Sequence, residues 1–269
     1  MRRVSSVDLY NTSYGHSALE AYRQVRLETY GEDFGQTSWT TSEEYREIAR
    51  ALELRRESNV LEIGCGAGGC ATYFAETIGC RVAGLDVNCE GIAAANALAK
   101  TKGLGDRASF REHDVSKGIP FEPAVFDAIF SNDAFCHFVD RLALLGECLR
   151  VLKQGGRMIF SDALVITGAI TNEEFVARSS IGRYLFVPPG ENERLLAKAG
   201  FKLLRSDDTT AAAAAIAERW SDARARQKSV LVAIEGEANF EGLQRFLQCV
   251  HALTAEKRLS RCLYLTTKP

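Results

Sequence analysis

The chain has 269 residues, 46% of them hydrophobic and 25% charged, with a formal net charge of −2. That is the composition of a folded globular protein, long enough to bury a core without disulfides or a structural metal, and its charge balance offers no basic field to nucleic acid or anionic lipid. No apolar run approaches the roughly 18 residues of a membrane span, and Met1–Ser6 lacks the apolar stretch of a secretory leader, so a cytoplasmic protein is expected. The eight cysteines form no C-x-x-C pair and only four histidines accompany them, which predicts reduced, mostly buried thiols and no metal site.

In chain order, residues 1–57 are polar and helical in pattern, broken at Gly31-Glu32-Asp33-Phe34-Gly35. Thr41 followed by Glu43 and Glu44 offers a helix cap, with Tyr45, Ile48, Ala49 and Leu52 recurring at helical spacing. From Asn59 the rhythm changes to short apolar runs alternating with helical stretches. The runs are Val60–Ile63, Arg81–Asp86, Ala108–Arg111, Phe126–Phe130 and Arg157–Phe160, followed by Phe201–Leu204 and Cys262–Leu265. Strands separated by helices predict a doubly wound α/β fold with a seven-stranded, mostly parallel sheet. With no repeat and no linker-like tract, one domain over 1–269 is expected. Two stretches, 165–190 and 206–259, are too long for plain connections and are expected to cover a substrate.

The run Val60-Leu61-Glu62-Ile63-Gly64-Cys65-Gly66-Ala67-Gly68-Gly69 joins a strand to a helix. Its glycines let the backbone turn sharply and approach a ligand. The spacing also satisfies the dinucleotide pattern G-x-G-x-x-G, with Asp86 as the acid that follows. Glu62, however, aims a carboxylate where a pyrophosphate would sit. A carboxylate there suits a ligand carrying an ammonium group, Asp86 suits ribose hydroxyls, and His113-Asp114-Val115 brings an acid and an apolar residue to an adenine edge. Three acidic strand ends, at 62, 86 and 114, argue for a nucleoside with a cationic tail, S-adenosylmethionine, and against a nicotinamide-dependent oxidoreductase.

These residues, with Leu152-Lys153-Gln154-Gly155-Gly156, resemble class I S-adenosylmethionine-dependent methyltransferases, a Rossmann-like family. The segment Asn132-Asp133-Ala134-Phe135-Cys136-His137 is similar to one in phosphoethanolamine and sarcosine/dimethylglycine N-methyltransferases, as is Gly31-Glu32-Asp33, and the spacing of Tyr14 and Tyr22 is similar to that of two tyrosines in the phosphoethanolamine enzymes. The resemblance implies cofactor contacts at Glu62, Gly64, Cys65, Gly66, Gly68, Asp86, Val87, Asp114, Val115 and Asn132. It implies a catalytic His137–Tyr14 pair and acceptor contacts from Asp133, Arg183 and Tyr184; Trp220, in the second of the two long stretches, is expected to help roof the acceptor. Ala163 follows Asp162 where those enzymes have a tyrosine, and Val250 stands where they have a lysine, so the resemblance does not extend to a phosphorylated acceptor. The expected activity is methyl transfer to a small molecule, an amine nitrogen first and an oxygen or carbon of a secondary metabolite second. A non-catalytic cofactor-binding protein is the remaining alternative, and no oligomeric state follows from the sequence.

Overall fold

The structure, a computed structural model, describes residues 7–269; the reading of Met1–Ser6 lies outside the described residues. Three helices open it: α1 (Tyr10–Gly15), α2 (Glu20–Tyr30) and α3 (Ser42–Ala51). The Thr41 side chain accepts from Glu44 N and the Glu44 carboxylate from Thr41 N, so α3 starts on the expected reciprocal cap. Then strands and helices alternate: β1 (Asn59–Ile63), α4 (Gly69–Thr77), β2 (Arg81–Asp86), α5 (Cys89–Thr101), β3 (Ala108–Glu112), β4 (Phe126–Ser131), α6 (Arg141–Val151) and β5 (Leu152–Ile166). After α7 (Asn172–Arg178) and α8 (Glu191–Ala199) comes β6 (Lys202–Asp208). Three helices, α9 (Thr210–Arg226), α10 (Lys228–Glu235) and α11 (Glu237–Ala255), precede β7 (Leu259–Thr267).

All seven expected strands form one sheet in the order β3-β2-β1-β4-β5-β7-β6. β7 runs antiparallel between β5 and β6, and the other pairings are parallel. β5 is longer than its apolar run because Leu152 already pairs with Phe126 ahead of a bulge, and pairing with β7 continues to Ile166. The two connecting segments are accordingly shorter than expected and run 167–190 and 209–258.

Alternate residues of the central strands face opposite sides of the sheet. Val60, Ala128 and Ile159 pack with α3, α4 and α5 on one side, whereas Leu61, Ile129 and Met158 pack with α6 and α8 on the other. A third apolar cluster joins Tyr22 and Val25 of α2 to Ile216, Trp220, Leu243 and Phe246 of α9 and α11. Arg224 and Glu235 form a buried ion pair there, and Tyr22 donates to Glu235 at 3.1 Å. α2 and the late helices therefore form one cap. β1 has β2 on one side and β4 on the other, and in such sheets the crevice at the carboxyl ends of these strands is where ligands bind. No described helix is long and apolar enough to cross a membrane.

Candidate active site

The crevice is a cavity of about 310 Å³ between the strand ends and the cap. Its floor is the glycine loop. Gly66 has a left-handed backbone (φ +50°), and a Cβ there would lie 2.7 Å from the Tyr14 hydroxyl. Gly66 N donates to Asp86 Oδ2 and Asn88 N to Asp86 Oδ1, each at 2.8 Å, which locks the loop to the end of β2. Gly64 and Cys65 line the cavity, while Gly68 packs away from it against Ala95 and Phe110.

Glu62 lies at the end of β1 with 3% exposure, and its Oε2 has no hydrogen-bond partner among the described residues. Burial, reinforced by Asp86, pushes its carboxyl well above the usual range. Burial also raises Asp86, against the pull of its backbone donors. A buried carboxyl with an unmet acceptor, beside a half-buried one, makes a site for a cation carrying donor hydrogens. Val87, His113, Val115 and Asn132 also line the cavity. Asp114 does not: its Oδ1 accepts from Ser116, and its other oxygen lies 3.4 Å from Lys117.

At the other end of the cavity stands His137, in a short turn after β4. Its Nε2 lies 2.9 Å from the hydroxyl of Tyr10, which lies 3.2 Å from the hydroxyl of Tyr184. Tyr14, the partner expected from the sequence, is one helical turn further along α1, about 6 Å in rise, and rests against Gly66 instead. Nδ1 of His137 meets the carbonyl of Arg183 at 3.0 Å. A carbonyl only accepts, so the neutral ring carries its proton on Nδ1. Nε2 is then the acceptor of the Tyr10 hydroxyl. Burial, with Arg178 adding to it, lowers the His137 pKa below its ordinary value, which favours the neutral ring.

Two expected acceptor contacts are placed differently. Arg183 is exposed and contributes only its carbonyl, whereas Arg178, the last residue of α7, lines the cavity at 1% exposure. The Arg178 guanidinium lies over the rings of Tyr184 and Phe246, and its Nε and Nη1 have no hydrogen-bond partner among the described residues. Asp133 reaches the cavity wall with its charge already matched. Its Oδ1 accepts from Arg261 Nε and Ser161 Oγ, and its Oδ2 from Trp39 N, all at 2.8 Å. Arg261 is wholly buried and also donates to Glu44, Thr40 and Thr209, which ties α3 and β7 to this point. Asp133 therefore braces the cap, and it is Asp140 that caps α6. Tyr184 lines the cavity, as do Trp39 and Trp220, whose rings lie 5.7 Å apart.

Tyr10, Trp39, Arg178 and Arg261 were not singled out from the sequence. For Tyr10 a signal existed, since it shares a helix face with Tyr14. Nothing distinguishes Arg178 or Arg261 among 33 basic residues.

Residues 61–160 match the family described as a methyltransferase domain. The chain is 33% identical over 153 residues to the sarcosine/dimethylglycine N-methyltransferase of Halorhodospira halochloris, covering 52% of this chain and 50% of that protein. It is 30% identical over 204 residues to phosphoethanolamine N-methyltransferase 1 of Triticum aestivum, covering 75% of this chain and 39% of that protein. It thus spans half or less of the length of these relatives. The solved phosphoethanolamine N-methyltransferase 2 of Haemonchus contortus superposes with a TM-score of 0.80 at 20% identity, over 98% of this chain and 61% of that one, so the fold is shared. The glycine loop and the acids Glu62 and Asp86 lie within the matched segment, and residues 61–160 of this chain are a methyltransferase domain.

Proposed function

We propose that the protein transfers the methyl group of S-adenosylmethionine to a small-molecule acceptor, an amine nitrogen that also carries an anionic group. The observation that carries this reading is the unmet, buried Glu62 carboxylate beside Asp86, in a cavity that continues to the His137–Tyr10–Tyr184 set. The residues fit the cofactor: Glu62 receives an ammonium group, Asp86 retains lone pairs for ribose hydroxyls, and Val87 and Val115 flank a base. When bound, the cofactor supplies a methyl group on a positively charged sulfur.

The chain's own residues do the rest. An alkylammonium has no lone pair and must lose a proton before it attacks. His137 Nε2, bare and held neutral, takes that proton through the Tyr10 hydroxyl or directly. Arg178 holds the anionic end of the acceptor, in the role the sequence suggested for Arg183. Trp39, Trp220 and the cap exclude water, so that alignment of the reacting atoms supplies most of the acceleration. We further propose that residues 1–269 act as one domain, with the opening helices and the segments 167–190 and 209–258 as the substrate cover.

A second reading, methylation of a phenolic oxygen, is favoured by the Asp133–Arg261 pair, because the Asp133 charge is already matched and is not free to receive an ammonium. One experiment separates them. The protein is titrated calorimetrically with S-adenosylmethionine, S-adenosylhomocysteine and NAD, then incubated with methyl-labelled donor and separate pools of amino acids, other amines and phenols. Binding of the two adenosyl ligands and label in an amine pool are expected. Binding of NAD alone overturns the cofactor, and label only in phenols establishes the second reading.

A further inference from the structure

Arg141 opens α6 and touches neither the cavity nor Tyr10, His137 or Tyr184. It is nevertheless buried, at 2% exposure, with Asp162 at 0% and Asn192 at 2%. Its Nη1 donates to Asp162 Oδ2 at 2.6 Å and to Asn192 Oδ1 at 2.7 Å. Asn192 Nδ2 donates to the same Asp162 oxygen at 3.0 Å, and Asp162 Oδ1 accepts from Leu164 N at 3.0 Å. Buried ion pairs contribute little net stability, because desolvation of both charges offsets their attraction. The use of this one lies in what it holds.

It holds the 183–187 segment. Arg141 Nη2 donates to the carbonyl of Leu185 at 3.0 Å. Leu185 N donates to the carbonyl of Cys136 at 2.7 Å, and Val187 N to that of Leu164 at 3.0 Å. Leu185 is thus fixed through both its amide hydrogen and its carbonyl, next to the residue that precedes His137. Two positions before it is Arg183, whose carbonyl accepts from His137 Nδ1.

We infer that Arg141, braced by Asp162 and Asn192, is the positioning residue for His137: by anchoring Leu185 it keeps the Arg183 carbonyl on Nδ1 and so fixes the tautomer and aim of Nε2. A backbone carbonyl here does what a carboxylate does in other histidine sites, selecting which ring nitrogen stays bare. Arg141 is suited to it because its planar fork bonds Asp162 and Asn192 through one arm and Leu185 through the other. The catalytic consequence rests on the proposed methyl transfer; the tautomer does not.

The test begins with a measurement that needs no assay. Long-range proton–nitrogen correlation spectra of protein labelled in its histidines, assigned with His137→Gln, are expected to show His137 as a single Nδ1–H tautomer. In Arg141→Lys, a single ammonium opposite Asp162 cannot also reach Leu185. A mixture of tautomers is expected, with kcat reduced about 10–100-fold and the KM for the methyl donor unchanged. Should Arg141→Lys fail to fold, Asn192→Leu removes one brace of the guanidinium and is expected to give a mixture too. An Nε2–H ring in the wild type overturns the inference, as does a folded variant that keeps one Nδ1–H tautomer and an unchanged pH profile. A wild type that shows Nδ1–H, loses it to a mixture in Arg141→Lys and yet transfers no methyl group contradicts the functional reading and upholds the positioning, so the two fail separately.

Discussion

At the scale of single residues, chemistry in the site depends on which groups remain available. Asp133 carries a charge but has given it to Arg261, while Arg178 has donors to spare. Replacing Arg178 with Ala is expected to raise the acceptor KM by about tenfold or more, equivalent to losing a charged hydrogen bond, and Arg183→Ala to leave it unchanged. Steady-state kinetics with the identified acceptor decide this, and the reverse order would return the anchor to Arg183. For His137→Ala, kcat is expected to fall about 10²–10⁴-fold with cofactor affinity preserved, and Tyr10→Phe to act more weakly in the same direction. Burial lowers the His137 pKa, so the base form persists below the ordinary histidine range. The acid limb of kcat should therefore lie below about pH 6.5 and disappear in His137→Ala.

At the scale of elements, α3 shows how one local signal serves two ends. The sequence motif Thr41–Glu44 was legible because a capping box needs only residues three apart. Its second use was not legible, since Glu44 Oε1 meets Arg261 from β7 across 217 positions of chain. Thr41→Ala is expected to cost about 0.5–2 kcal/mol of stability, read by chemical denaturation. Because Glu44 also braces Arg261, the same variant should weaken acceptor binding through Trp39. A purely local loss of helix stability with unchanged acceptor KM would show the cap and the chamber to be independent.

At the scale of the whole molecule, the cofactor and the fold are linked through buried charge. Glu62 and Asp86 have carboxyls raised by burial. For such groups the folded value exceeds the unfolded one, so their contribution to stability is present at low pH and lost as pH rises through the folded value. A bound cation offsets that loss. At a fixed S-adenosylmethionine concentration about 100 times its Kd at pH 7.5, binding should add about 2.7 kcal/mol there, or roughly 5–10 °C of Tm for a chain of this size. The increment should be larger at pH 7.5 than at pH 5 and lose most of its pH dependence in Glu62→Gln. Differential scanning fluorimetry at the two pH values reads it, and an increment equal at both would remove Glu62 from the cofactor site.

The sequence by itself determined the seven strands, the helix at Thr41, the glycine loop and the acids at 62 and 86. Each is written in neighbouring residues: alternation along a strand, spacing on a helix, a turn that requires glycine. Tertiary structure alone decided which tyrosine meets His137, which arginine is buried with free donors, and that Asp133 is neutralised. Those outcomes depend on where α1, α7 and β7 come to rest against the sheet, through contacts between residues 46 to 217 positions apart. Tyr10 and Tyr14 share one helix face, and only the packing of the cap places the first against the histidine and the second against the glycine loop.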